Sequence, residues 1–369
     1  MGVSRPLFLC FFLTSEWRDE SMQLVRKQPS IIGLDIGTST IKAVKMTQKG
    51  KKPFLEEFAV ERVAEDVFQA GELRNPSSLA QSARSAVLRC DRHIRDVVIA
   101  LPNSSILSDV ITIDLVPKKH IREAVMVEAE RLSPFDMTEV EIDYEVLERN
   151  EETKQMRVLM VAAKQDIIYS YIDCMNEAGL HPTIIDVDLF ALMNIYQMNY
   201  DAASVPSSIL INIGMESSDA VFLQNGQFHS SRDIPVTGSH FIKQLGTVAG
   251  MEPAVIHDLL NGAIEQDADV EPLVASLNNV SKDFANAVGV AVSYFQSSDG
   301  ADRLDRIILA GGFANVPGLA NILELRTGAE VIVLDPLRTM SMRDELASTL
   351  QGGSEGTLLS VALGLAMRT

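Results

Sequence analysis

One short pattern occurs twice in this chain, and the repeat constrains the fold more than any other feature. Ile31-Ile32-Gly33-Leu34-Asp35-Ile36-Gly37-Thr38-Ser39-Thr40-Ile41-Lys42-Ala43-Val44 reads as an apolar strand, a turn rich in glycine and hydroxyls, and a second strand. That is a β-hairpin. Gly37 lets the backbone turn where a Cβ would clash and leaves amide N–H groups to face an anion, while Thr38, Ser39 and Thr40 add hydroxyl donors. Asp35 is placed to hold a Mg²⁺ through water, and Lys42 to reach back to a phosphate as a point charge. Asp-x-Gly-Thr turns are common, so a single copy is compatible with a purely structural hairpin. The second copy changes the argument. In Ile209-Leu210-Ile211-Asn212-Ile213-Gly214-Met215-Glu216-Ser217-Ser218-Asp219-Ala220-Val221, Asn212 falls over Asp35, Gly214 over Gly37, Ala220 over Ala43 and Val221 over Val44. Two related half-molecules are expected. A third piece, Ile307 to Asn315 followed by Pro317-Gly318, is a strand ending in the pair Gly311-Gly312, where a flat ring can lie against bare backbone as in an adenine-binding turn.

A length of 369 residues allows two domains, each with its own core, and 46% hydrophobic with 22% charged residues is ordinary for a globular protein. The net charge of −18 argues against non-specific nucleic-acid binding, which needs a basic face. Cys10, Cys90 and Cys174 are far apart, with no Cys-x-x-Cys pair to suggest zinc or a disulfide framework, and read as reduced cytosolic thiols. The apolar run Leu7 to Leu13 falls short of the ~20 residues a spanning helix needs, so no direct membrane insertion is expected. It is also a poor signal peptide, preceded by a single Arg5 and followed by Glu16, Asp19 and Glu20. Residues 1–30 read as an extension, with Met22 as the expected start.

In chain order, a third strand is expected around Leu55 to Val60, and a helix over Pro76 to Cys90 with Leu79, Ala83, Ala86 and Val87 inward. Val97 to Pro102 reads as a strand, as does Val110 to Leu115. The stretch Lys118 to Leu132 reads as a helix with Ile121, Val125 and Leu132 inward, broken by Ser133-Pro134-Phe135-Asp136. Strands at Ile142 to Leu147 and Met156 to Ala163 and a helix from Gln165 to Ala178, stopped by Gly179, complete a small α+β insert. Pro182 to Val187 is a returning strand and Leu189 to Tyr200 a crossing helix. Asp201 to Ser208 is the expected linker. Asn225-Gly226 is a hairpin turn, and helical segments run from Gly238 to Phe295. Glu265, Asp267, Asp269 and Glu271 read as a solvated loop rather than a metal site, His240 as a polar surface residue, and Arg232-Asp233 as an ion pair at a strand end. Ala362, Gly364 and Ala366 permit close packing near the end of the chain.

On Gly33-Leu34-Asp35-Ile36-Gly37-Thr38-Ser39, Glu128-Ala129-Glu130-Arg131 with Pro134-Phe135, Asp143-Tyr144, Ile213-Gly214, Asp233-Ile234-Pro235, and Leu309-Ala310-Gly311-Gly312 with Pro317-Gly318-Leu319, the chain resembles the actin-like proteins that assemble type IV pili, the PilM family. The resemblance runs from Ile31 to Arg368. Its first and last motifs belong to the whole actin, hexokinase and Hsp70 superfamily. It implies an α/β actin-like fold of two duplicated ribonuclease H-like lobes with ATP between them, and an inserted subdomain placed like that of FtsA. The first lobe would span 31–96 and 184–204, the insert 97–183, and the second lobe 205–369 with a helical subdomain at about 238–300.

The resemblance also implies the sites. Gly37, Thr38, Ser39, Thr40 and Lys42 would bind phosphates from the first lobe, and Gly214, Met215, Glu216 and Ser217 from the second. Gly311, Gly312 and Phe313 would line the adenine, Gly238 would lie near the ribose, and Asp35 would approach the Mg²⁺ shell. A groove formed by the insert and first lobe would take the cytoplasmic N-terminal tail of an inner-membrane PilN-type partner; on physical grounds, not from the resemblance, it is placed between the strands from Ile99 to Ile113, the helix end from Val125 to Pro134 and the first lobe, with Leu101, Val125, Pro134 and Phe135 as its candidate residues. The chain would then sit in the cytoplasm, peripheral to the inner membrane, as a ring or collar, with room for self-association and for contacts to other inner-membrane and motor ATPase components. No catalytic residue is assigned. Active members of the superfamily usually carry Asp where this chain has Asn212, which takes no proton at neutral pH. General-base help is worth roughly 10²–10⁴ in rate. ATP is therefore expected to bind and to turn over slowly or not at all.

Two other readings share the fold. A small-molecule kinase needs a carboxylate base that Asn212 does not supply, and an FtsA-like division protein needs an amphipathic C-terminal helix that the sequence up to Thr369 does not show. No Gly-x-x-x-x-Gly-Lys-Ser/Thr, Gly-x-Gly-x-x-Gly after a strand, His-Glu-x-x-His or Gly-x-Ser-x-Gly motif is present.

Overall fold

The two apolar strands of the first repeat form the centre of a sheet. In a computed structural model, which describes residues 31–49, 52–69, 71–132, 135–252, 255–256, 260, 270–299, 303–350 and 355–368, β1 (Ile32–Ile36) pairs antiparallel with β2 (Thr40–Lys49), Asp35 opposite Lys42. β3 (Lys52–Arg62) extends the meander. On the other side of β1 lies the parallel strand β4 (Asp96–Leu101), whose Val97 to Ile99 are buried, as expected for a strand covered on both faces. β5 (Ile106–Asp114), β6 (Val140–Asn150) and β7 (Gln155–Lys164) make a separate antiparallel sheet in the order β5-β7-β6, and β8 (His181–Val187) returns to pair in parallel with β4.

Described residues 31–69, 73–194 and 361–368 pack as one unit, and 71–72 and 195–360 as a second. Within the first, the sheet order is β8-β4-β1-β2-β3. α1 (Pro76–Cys90) buries Leu79, Ala83, Ala86 and Val87, as its spacing predicts, and starts with Asn75 Oδ1 accepting the Ser78 N–H at 3.1 Å. α2 (Ile121–Leu132) covers one face of the insert sheet with Ile121, Val125 and Ala129. The expected helical start at Lys118 is instead a 3₁₀ turn, Lys118–His120, after Pro117. Leu132, expected inward, is 46% exposed, because Ile121, Val125 and Ala129 continue the buried stripe at a spacing of four and Leu132 falls off it. Ser133 and Pro134 lie outside the described residues. α3 (Gln165–Glu177) ends as expected before Gly179, which adopts φ +70°.

α4 (Asp188–Asn199) runs from the first unit into the second. There the expected linker is partly strand, since Ser207 and Ser208 begin β9 (Ser207–Ile213). β10 (Ser218–Gln224) and β11 (Gln227–Asp233) follow, joined at Asn225 and Gly226, both at positive φ as a two-residue hairpin turn demands. β12 (Arg306–Ala310) and β13 (Glu330–Val333) lie parallel to β9, giving the order β11-β10-β9-β12-β13. That is the strand order of the first unit over again. Even the register matches: Leu34 pairs with Ile99 in one sheet, and Ile211 with Leu309 in the other. α5 (Gly238–Ala249) and α6 (Val270–Asp299) pack on this sheet through Phe222, Phe241, Phe284 and Phe295. The acidic residues Glu265, Asp267 and Asp269 fall outside the described residues, and among those described no cluster of metal-binding side chains occurs.

The closing helix Ser360–Ala366 seats Val361 onward on the first unit, whereas the sequence-based division put everything after 204 in the second lobe. Two glycines allow the fit. A Cβ on Gly33 would meet the backbone of Ala362 and Ala366, and one on Gly364 the Ala191 carbonyl. The helix is then pinned by a fully buried ion pair, Arg368 Nε to Asp186 Oδ2 at 2.6 Å. Burial pushes the Asp186 carboxyl above its usual range against the opposing pull of Arg368.

Replacing Arg368 with Met leaves that carboxylate buried without its partner, and a loss of ~3–5 kcal/mol is expected in denaturant unfolding. The double variant D186L/R368M should lose less than R368M alone. Equal losses would show that the two groups are not coupled.

Candidate functional site

Each repeat ends its first strand in a glycine turn closed the same way. The Gly37 N–H donates to the Thr40 carbonyl at 3.1 Å, and the Gly214 N–H to the Ser217 carbonyl at 2.9 Å. A Cβ at Gly37 would stand 2.9 Å from the Thr40 oxygen and 2.9 Å from Lys42 Nζ, and a Cβ at Gly214 2.8 Å from the Ser217 oxygen. Those separations are too short for any side chain. Glycine is required at both turns for one shared reason.

The chemistry around the two turns differs. In the first unit Lys42 Nζ lies 3.0 Å from Asp35 Oδ2, both side chains largely buried, and Thr38, Ser39 and Thr40 are half-exposed. A cation, a carboxylate and three hydroxyls thus meet at one turn. In the second unit the equivalent cross-strand pair is Asn212 with Asp219, so a carboxylate stands where the first unit has a lysine. Asp219 is 1% exposed. The sequence reading passed over this residue, although superposing the repeats places it over Lys42. Met215 is half-exposed, Glu216 and Ser217 exposed.

Around the second turn the structure gathers other expected site residues. The first amides of α5 dock onto it, Gly238 N–H to the Gly214 carbonyl and Ser239 N–H to the Met215 carbonyl, each at 2.8 Å. Thr237 and His240 form a capping box at this helix start, which gives His240 a structural role beyond that of a surface residue. Gly311, at φ +89°, brings its backbone against the same strand end, where a Cβ would lie 2.5 Å from Asn212 Oδ1. Gly312 is half-exposed, and the Phe313 N–H reaches the Ile213 carbonyl at 3.2 Å. Gly214 to Ser217, Gly238 and Gly311 to Phe313 therefore converge. The Phe313 ring does not line an open surface: it is 3% exposed, packed beside Phe241 and against Gly238. Only its backbone can face a ligand.

In the first unit, Asp188 Oδ1 accepts the Asn103 N–H at 3.1 Å beside the ends of β4 and β8. Burial pushes the nearby Tyr171 phenol up, with Asp188 and then Asp35 adding their negative charge. Of the expected partner groove, Leu101 and Val125 have no exposed surface. Sequence places them as apolar residues beside the insert, but β4 is covered on both faces and Val125 fills the insert core. Neither can touch a partner. Phe135 is half-buried with Lys164 Nζ 4.8 Å above its ring, and Pro134 lies outside the described residues. Arg232, expected to pair with Asp233, instead donates to the Ser231 carbonyl and stacks over Tyr294. Cys90 and Cys174 are buried free thiols, each pushed by burial up to about 12, well out of the reactive range.

A family model described as type IV pilus assembly protein PilM matches residues 33–369. The chain belongs to the PilM family. A solved chain of a PilM–PilN type IV pilus biogenesis complex is 24% identical, with a TM-score of 0.79 over 92% of this chain and 98% of that one. The ethanolamine utilization protein EutJ from Carboxydothermus hydrogenoformans gives 0.55 at 15% identity, covering 92% of this chain and 90% of its own. MreB5 of Spiroplasma citri bound to ADP gives 0.53 at 11%, covering 93% and 96%. The PilM-family fold seen here is accordingly actin-like, with the strand order duplicated in its two units. Among the described residues no helix is long and apolar enough to cross a membrane.

Substituting Ala at Gly37 or at Gly214 should cost ~1–3 kcal/mol at each position, read by thermal or denaturant unfolding, because each Cβ presses on the turn's own carbonyl. A neutral result at one position would show that the two turns are not closed alike.

Proposed function

We propose that this PilM-family chain is an ATP-binding scaffold of a type IV pilus assembly machine, held at the inner membrane through the cytoplasmic tail of a PilN-type protein. The observation that carries the nucleotide reading is the pair of glycine turns closed by the same hydrogen bond. It is supported by the MreB5 structure, which holds ADP on the same fold. Lys42 and the hydroxyls of Thr38, Ser39 and Thr40 fit an anionic phosphate, and Asp35, released from Lys42, fits a water of a hydrated Mg²⁺. Gly214 to Ser217 would meet the phosphates from the second unit through their backbone amides and the Ser217 hydroxyl, against the negative charge of Glu216 and Asp219. Gly311 and Gly312 offer bare backbone to the base, and Gly238 stands near the ribose. Bound Mg²⁺ would neutralise phosphate charge. Asn212, an amide, accepts no proton from an attacking water.

Partner binding is supported by the solved PilM–PilN complex. Since Leu101 and Val125 are buried, the tail is better placed along an edge of the insert sheet, where β5 is the outermost strand among the described residues and carries half-exposed Leu107 and Val110. An extended peptide there gains backbone hydrogen bonds and seats alternate side chains.

Two experiments test the two halves. Titration calorimetry should show Mg-ATP binding that falls at least tenfold in K42A, with turnover by the purified protein below a few cycles per minute; wild-type protein that binds no nucleotide would refute the nucleotide reading. Fluorescence anisotropy with a labelled cytoplasmic-tail peptide of a PilN-type protein should show capture lost in V110D while Mg-ATP affinity is kept. Unchanged capture would move the groove off β5.

A further inference from the structure

Three successive carbonyls of the second glycine turn are taken by neighbours. Ile213 accepts the N–H of Phe313 at 3.2 Å, Gly214 that of Gly238 at 2.8 Å, and Met215 that of Ser239 at 2.8 Å. The last two donors are the opening residues of α5. In a trans peptide the carbonyl and the N–H that follows it point in opposite directions. The grip of α5 on the Gly214 and Met215 carbonyls therefore turns the N–H groups of Met215 and Glu216 away from the helix. Two consecutive amides facing away from one helix form a donor pair suited to an anionic oxygen. They supply what the acidic side chains of Glu216 and Asp219 withhold.

What seats α5 in that place is a histidine. His240, exposed in the first turn of the helix, accepts the Thr237 N–H on Nδ1 at 3.1 Å, and the Thr237 hydroxyl oxygen lies 3.0 Å from the same atom. A neutral ring nitrogen that accepts an N–H carries no proton of its own, so the ring hydrogen sits on Nε2. Thr237 is buried and directly precedes Gly238. The bond thus fixes the residue from which both docking amides start.

We propose that His240 is a positioning residue for phosphate at the second turn: through Thr237 it seats the start of α5, and α5 in turn aims the Met215 and Glu216 amides at an anionic oxygen of the nucleotide. The inference rests on the nucleotide reading above and adds to it the donors at the second turn and the residue that sets them. His240 acts through the helix, without touching the ligand.

The test is calorimetric titration of Mg-ATP into the full-length wild type, H240A and H240Q, with hydrogen exchange of the Gly214 to Ser217 amides followed in the nucleotide-free proteins. H240A should bind Mg-ATP roughly five- to tenfold more weakly, the size of effect that losing one capping contact gives, and should exchange those amides faster. H240Q, whose side-chain carbonyl is a usual acceptor at this position of a capping box, should stay within about twofold of wild type in both readouts. A lower unfolding midpoint in H240A with affinity equal to wild type, as a purely structural cap would give, overturns the proposal. So does an equal loss in H240Q and H240A. If the wild type binds no Mg-ATP, the nucleotide reading falls and this inference with it; if it binds and H240A matches it, the inference alone falls.

Discussion

One hydrogen bond, made twice, holds this molecule's layout together: a glycine amide donating to the carbonyl three residues on, at Gly37 and again at Gly214. The bond draws each turn so tight that the accepting oxygen occupies the place a side chain would need. Strand pairing therefore persists to the last residue before the turn. Cross-strand neighbours emerge right beside it, Asp35 with Lys42 in one unit and Asn212 with Asp219 in the other. From these paired strands the flanking parallel strands add in the same order in both units.

The duplication is geometric rather than chemical. The first turn sets an ammonium against a carboxylate, a pair that can open toward a phosphate and a hydrated cation at once. The second sets an amide beside a buried carboxylate and an exposed Glu216, and draws the start of α5 onto its carbonyls. One turn is thus suited to holding charge, while the other is built into its unit's frame through Gly238 and Gly311. An amide at 212 keeps the shape of the strand end while removing a proton acceptor.

Much of this was legible in the residues. Turn glycines announce themselves because nothing else fits. The stripe Leu79, Ala83, Ala86, Val87 gives α1 to the residue, and Asn225-Gly226 gives its hairpin. What spacing cannot show is what lies across from an apolar face. Leu101 and Val125 look like groove residues when only their polarity is known, yet one is sealed in a sheet covered on both sides and the other in the insert core. Phe313 follows the glycine pair as an adenine neighbour would, but its ring turns inward to Phe241 and Gly238. Long-range pairs were equally hidden. Nothing in the local sequence ties Arg368 to Asp186, or Arg232 to Tyr294 rather than to the adjacent Asp233.

That both glycine turns serve one nucleotide is our proposal, and a crystal structure of the protein with Mg²⁺ and a non-hydrolysable ATP analogue would test it. Phosphate oxygens are expected about 3 Å from the amides or hydroxyls of Gly37 to Thr40 and also from those of Gly214 to Ser217, with Lys42 Nζ drawn off Asp35 onto a phosphate. An analogue bound elsewhere, or one touching a single turn while Lys42 stays on Asp35, would contradict it.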